Sequence, residues 1–213
     1  MSTLIHAPQA CSLATKIAAV EGDVNLNYDH VNLFTKEMSG NRSLLDFNPL
    51  GQVSVIITDQ KEIITETAVC LLWVQNESTR KDFHISADDP KYFQLLRWLS
   101  FCSTELHKQI FRIVFYNEAT QDVKDNFREL AASRLKVLDD HLADSEFMLG
   151  EQFSAVDAYL AWFFMLSDGS GVHTNNFQQL QRYRESLLTR PLIKELMEYE
   201  NCLSDEIYNK NIL

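Results

Sequence analysis

Strand-forming runs occur only in the first third of this chain, and that uneven distribution limits the fold more than any other feature. Thr3 to His6 reads as a short strand. After a loop at residues 7–10, Leu13, Ile17 and Val20 recur at helical spacing from Ser12, and Gly22 stops that helix. Residues 25–33 mix polar and apolar side chains as a second strand would, and residues 35–47 read as a short helix with loops. The β-branched run Val53-Ser54-Val55-Ile56-Ile57 is a strand. Asp59 to Glu62 is a turn, Ile63-Ile64 opens the returning strand, and residues 66–75 are helical. The order is β-α-β-α-β-β-α over about eighty residues. Beyond it only helical patterns appear.

A polar stretch at residues 76–89 reads as the linker, which predicts an α/β domain at residues 1–80 and an all-helical domain at residues 88–213. Asp88 or Asp89 is positioned to cap the next helix, with Pro90 in its first turn. That helix extends to about Tyr116, its apolar stripe including Tyr92, Leu95, Leu99, Cys102, Leu106, Ile110 and Val114. A second long helix covers residues 121–141. Ser154 and Asp157 form a capping box ahead of an apolar helix at residues 158–166. Two shorter helices follow, the last starting near Pro191.

The bulk numbers exclude several functions. With 19 basic and 30 acidic residues among 213, the net charge is −11. Nucleic-acid binding needs a cationic surface to displace counterions, so neither it nor docking on an anionic membrane is expected. No run reaches the ~18 apolar residues of a membrane span. The four cysteines, Cys11, Cys70, Cys102 and Cys202, form no CxxC pair and no zinc spacing, so no metal is expected. The start shows no basic-then-apolar leader. Together these read as a cytoplasmic protein with free thiols.

Several strings carry a family resemblance. Pro8-Gln9-Ala10-Cys11-Ser12-Leu13 matches the Pro-Gly-Ala-Cys-Ser-Leu string that opens the first helix in bacterial beta-class glutathione transferases. Trp98-Leu99-Ser100-Phe101-Cys102-Ser103-Thr104-Glu105-Leu106-His107-Lys108 follows that class's fourth helix. Asn48-Pro49-Leu50-Gly51-Gln52-Val53 resembles the turn into the third strand, and Thr65-Glu66-Thr67 the start of the next helix. Gly150 to Asp157 resembles the G-x-x-[FY]-S-x-x-D box, and Arg190-Pro191 a late helix start. The chain therefore resembles the cytosolic glutathione transferase family along its whole length. The resemblance implies a thioredoxin-like α/β N-terminal domain that binds glutathione and an all-α C-terminal helical domain for the second substrate.

The family's chemistry then falls on particular residues. The Val53 backbone, on an edge strand, pairs with the cysteinyl residue of glutathione. Glu66 accepts the γ-glutamyl amine. The Thr67 hydroxyl and the first amides of its helix hold the γ-glutamyl carboxylate, where the helix dipole favours an anion. Lys36 pairs with the glycyl carboxylate. Cys11, just before a helix with unsatisfied amides, favours its thiolate and forms a mixed disulfide with glutathione. Ser100, Ser103 and His107 lie at i, i+3 and i+7 as one polar stripe, with His107 a hydrogen-bonding or acid/base group near the sulfur. The implied activity is transfer or exchange of the glutathione thiol with hydrophobic electrophiles or mixed disulfides, a detoxifying role, in a homodimer. The alternative is a non-catalytic relative that binds a protein partner, as stringent-starvation-type proteins bind RNA polymerase.

The remaining candidates have structural readings. Cys70 and Cys102 lie on apolar helical faces as core, Trp162-Phe163-Phe164 reads as core, and the other histidines show no ligand spacing. The chain departs from the family at three places. Ser54 stands where the family has a cis-proline, leaving the isomer of the Val53–Ser54 bond open. Ser100 replaces an asparagine. Met165-Leu166 replace an Arg-Trp pair, so the family's electrophile class does not carry over.

Overall fold

The computed structural model describes residues 1–209. By contact the chain divides into two units, residues 1–85 together with the chain from Pro191 onward, and residues 86–190.

The first unit is built on a four-stranded sheet ordered β2-β1-β5-β6, from β1 (Thr3–His6), β2 (Asn27–His30), β5 (Val55–Ile57) and β6 (Ile63–Thr65). The first pair is parallel, Thr3 opposite Asn27, and the next two are antiparallel, with Leu4 opposite Ile56 and Ile56 opposite Ile64. A parallel pair needs a crossover, and helix α1 (Ser12–Glu21) supplies it. Leu4 and Ile5 point to opposite faces of β1 and both are fully buried, so the sheet is covered on both sides. Helix α2 (Thr67–Glu77) packs on α1. Where a short helix is expected, residues 37–43 form a small hairpin, β3 (Glu37–Met38) and β4 (Arg42–Ser43), followed by one 3-10 turn. The turn needs positive φ at Gly40 and Asn41, residues that tolerate it.

The polar stretch after α2 is an anchored segment of the first unit. Phe83 and Ile85 are buried, and the Ser78 hydroxyl donates to the Gly22 carbonyl at 2.6 Å. Arg80 donates to the Glu21 carbonyl at 2.5 Å. These two apolar side chains carry the first unit's core to Ile85, five residues past the expected end of the first domain.

In the second unit, α3 (Tyr92–Phe101) continues through a π-wound stretch, Cys102–Phe111, into α4 (Arg112–Val114). Lys91, not Asp88 or Asp89, is the N-cap, and the Asp89 side chain accepts the Lys91 N–H at 2.7 Å one turn earlier. Of the expected stripe, Leu95, Leu99, Cys102, Leu106, Ile110 and Val114 are buried and Tyr92 is half-buried. Helix α5 (Gln121–His141) buries Ala131, Leu135 and Leu138, while Phe127 and Leu130 are half-buried. Helix α6 (Ala155–Ser170) is buried nearly all round, as a central helix must be, and ends on Gly171 at φ +76°. Helix α7 (Gln178–Leu188) completes this unit.

Helix α8 (Pro191–Asn209) belongs by contact with the first unit, whereas the sequence partition runs residues 88–213 as one helical domain. The reason is a buried polar cluster. Glu200, fully buried, accepts from His6 Nε2 at 2.9 Å, from Lys16 Nζ at 2.8 Å and from the Gln9 N–H at 3.0 Å. His6 Nδ1 lies 3.0 Å from the Ser12 hydroxyl. A carboxylate at this depth needs such partners. Burial holds His6 below its ordinary pKa, so it is neutral and donates its Nε2 proton. Burial alone would raise Glu200, but its hydrogen bonds with His6 and Lys16 and the Lys16 charge bring it to about 2.

Candidate active site

In the first unit, Cys11 is the N-cap residue of α1 and is buried. The amides of Leu13 and Ala14 bond to the carbonyls of Ala10 and Cys11, at 2.8 and 3.1 Å, so the turn is wound tighter than the expected set of unsatisfied amides. The Cys11 thiol instead donates to the Val53 carbonyl at 3.0 Å. Two of the sequence candidates, the Cys11 thiol and the Val53 backbone, are therefore in direct contact.

Val53 is not on an edge strand. It lies two residues before β5, and β5 is an inner strand between β1 and β6. The Val53–Ser54 peptide is cis. The Ser54 hydroxyl is buried and sits 3.0 Å from Thr15 Oγ1 on α1 and 3.4 Å from Thr67 Oγ1 on α2. Where the family has proline, this chain has a hydroxyl chain joining the starts of two helices. The Thr67 hydroxyl, assigned to a carboxylate, is turned into that chain and Thr67 is buried.

Glu66 is exposed and precedes α2 with φ +69°, and no side chain caps that helix. Lys36 holds φ +66°, and its ammonium donates to the Gly51 carbonyl at 2.9 Å. Gln9, two residues before Cys11, holds φ +59°. Positive φ in non-glycine residues costs roughly 1–3 kcal/mol each and gathers where backbone shape serves a site. Here three such residues are candidates or their near neighbours.

The second unit carries the other candidates. His107 Nδ1 is 2.8 Å from the Tyr159 hydroxyl, and its ring sits edge-on to Trp162 with centroids 4.8 Å apart. Burial, then the nearby Lys108, pushes its pKa down to about 4, so the ring is neutral at physiological pH. It is a neutral hydrogen-bonding group, not a resting acid. Ser103 is half-buried, and Ser100 is exposed, its carbonyl accepting from the Thr104 hydroxyl at 3.0 Å. The i, i+3, i+7 stripe assumed α-helical winding throughout, whereas from Cys102 the helix is π-wound with i→i+5 bonding. Tyr159 was not singled out in the sequence. It lies 52 residues from His107, and only the capping box that places α6 pointed toward it. Trp162 is core as expected, and it also walls His107.

The four cysteines are free thiols. Burial raises the thiols of Cys70 and Cys102 far above the ordinary range, as core residues should be. Among the described residues no three His, Cys, Asp or Glu side chains gather as metal ligands, and no helix is long and apolar enough to cross a membrane.

A thioredoxin-like unit with a cysteine at its first helix, followed by an all-helical unit, is the glutathione transferase fold. The model of the glutathione S-transferase C-terminal domain matches residues 121–186. Glutathione S-transferase GstA of Escherichia coli O157:H7 is 22% identical over 197 residues, covering 92% of this chain and 98% of that one. A sphingomonad glutathione S-transferase, solved in complex with glutathione, is 26% identical with a TM-score of 0.87, over 93% of this chain and 98% of its own. The bacterial beta-class glutathione S-transferase of Sphingomonas chungbukensis is also 26% identical, with a TM-score of 0.85 over the same shares. The chain is thus similar over nearly its whole length to glutathione transferases, and residues 121–186 match the model of their C-terminal domain.

Proposed function

We propose that this protein is a beta-class glutathione transferase that binds glutathione in its first unit and transfers or exchanges the thiol through Cys11. The observation that carries this reading is the Cys11 thiol on the Val53 carbonyl, in the same unit as the strained Glu66 that opens the uncapped start of α2. The uncapped amides suit the γ-glutamyl carboxylate, Glu66 its amine, and Lys36 the glycyl carboxylate. The Val53 backbone receives the cysteinyl residue in exchange for its bond to Cys11. In disulfide exchange, the Cys11 thiolate attacks one sulfur of oxidised glutathione, the S–S bond breaks, and one glutathione thiolate leaves. In conjugation, the glutathione thiolate attacks the electrophile and displaces its leaving group. Ser100, Ser103 and His107 are the helical unit's candidates in the same reading, with His107 a neutral hydrogen-bond partner oriented by Tyr159. The sphingomonad relative solved with glutathione supports the ligand. A cytoplasmic homodimer is part of the same reading.

The test is isothermal titration of reduced protein with glutathione near neutral pH. The expected result is a dissociation constant at or below about 1 mM. No heat at several times that concentration sinks the reading and turns attention to a protein partner. Light scattering at micromolar protein checks the dimer, which a monomer mass would contradict.

A further inference from the structure

A cavity of about 640 Å³ opens between α1, β2 and α8, all in the first unit. None of the glutathione candidates lines it. Its size falls in the range of small-molecule sites. Its walls are Val20, Leu26, Leu192 and Leu196 with the rings of Tyr28 and Tyr199. The Lys16 ammonium fixes those rings, lying 5.1 Å from the centroid of Tyr28 and 4.4 Å from that of Tyr199. Yet Tyr28 and Tyr199 stay 36% and 50% exposed, and Leu192 41%. Held aromatic surface left open to water is what a site offers a flat apolar ligand.

The charges decide the sign of that ligand. Lys16 is committed to Glu200 at 2.8 Å, with both side chains almost wholly buried, so its charge is neutralised in place. The other basic group lining the cavity, His30, is kept neutral near pH 7 by burial. Glu195 also lines the cavity, is exposed on α8, and has no ion-pair partner among the described residues. One uncompensated carboxylate therefore remains beside two tyrosine rings. In addition, β2 is the end strand of the sheet, with no strand on its outward side.

We propose that this cavity is a second binding site, for a planar aromatic cation, distinct from the site that holds glutathione. The ligand's rings lie against Tyr28, Tyr199 and the leucines, and its charge faces Glu195. An anion such as glutathione is disfavoured there.

Proflavine, a planar aromatic monocation, tests this by fluorescence titration of the full chain with and without saturating glutathione. The expected dissociation constant is below about 100 µM and unmoved by glutathione. Tyr199→Ala weakens binding at least about tenfold, and Glu195→Gln about fivefold. Both side chains are exposed, so the variants keep the wild-type circular dichroism and melting profile. Displacement of proflavine by glutathione overturns the proposal, as does indifference to both substitutions. Tighter binding of the anionic anilinonaphthalene sulfonate through the same residues also overturns it. The outcome is independent of whether glutathione itself binds.

Discussion

His107 keeps its proton inventory constant over the whole physiological range. Its folded pKa of about 4 lies below the ordinary 6.5, so the neutral ring contributes stability above 6.5 and loses it as pH falls toward 4. A proton NMR titration is therefore expected to show no His107 inflection between pH 6 and 8, and a midpoint near 6.5 contradicts the burial argument. Tyr159→Phe removes the one hydrogen bond on Nδ1, and a shift of the His107 ring nitrogen resonances follows if that bond orients the ring. Cys11 makes the second prediction at this scale. Peptide mapping after exposure to oxidised glutathione is expected to find the adduct on Cys11 but not on Cys70 or Cys102, whose thiols burial keeps protonated. Cys202 is exposed and provides the internal control. Cys11→Ala retains the fold and loses that adduct and the disulfide-linked activity. An unmodified Cys11 peptide removes its proposed role.

At the scale of elements, the start of α6 rests on one buried carboxylate. Asp157 is fully buried and accepts from the Met148 N–H at 2.9 Å, the Ser154 N–H at 2.8 Å, the Ser154 hydroxyl at 2.6 Å and the Tyr183 hydroxyl at 2.5 Å. One side chain thus caps α6, ties down the preceding loop and holds α7. Asp157→Ala strands these donors, and a loss of about 3 kcal/mol or more in urea unfolding is expected. Ser154→Ala removes only the cap partner and costs about 1 kcal/mol. Equal costs contradict the distribution of bonds. The π-wound stretch of α3 shows the limit of pattern reading within an element. The apolar stripe stays buried through it because a wide buried face tolerates rotation.

At the scale of the molecule, the Glu200 cluster joins the last helix to the first strand and first helix across 194 residues of sequence. Glu200 is depressed from 4.5 to about 2, so its contribution is whole above pH 4.5 and disappears as pH falls toward 2. His6 is likewise depressed, and its contribution begins to fall below 6.5. Acid therefore weakens this cluster from both partners. Glu200→Ala leaves Lys16 and His6 buried without their carboxylate and is expected to cost about 3–5 kcal/mol. Hydrogen exchange is expected to locate the loss in α1 and α8, and unchanged protection there contradicts the role of the cluster.

The periodicities in the sequence determined the four strands of the main sheet, the bounds of α1 and α5, most of the buried stripe of α3 and the capping box of α6, because each depends on neighbours within a turn or a strand. The strings around Cys11 and His107 carried the family for the same reason. Only the tertiary structure decided that α8 joins the first unit, that β5 is an inner strand, that Thr67 turns its hydroxyl to Ser54 and that Tyr159 meets His107. Three of those depend on polar contacts between distant residues, and the place of β5 on its pairing with both β1 and β6. Such a contact leaves no period in the sequence, since it needs one well-placed donor or acceptor and no repeating pattern.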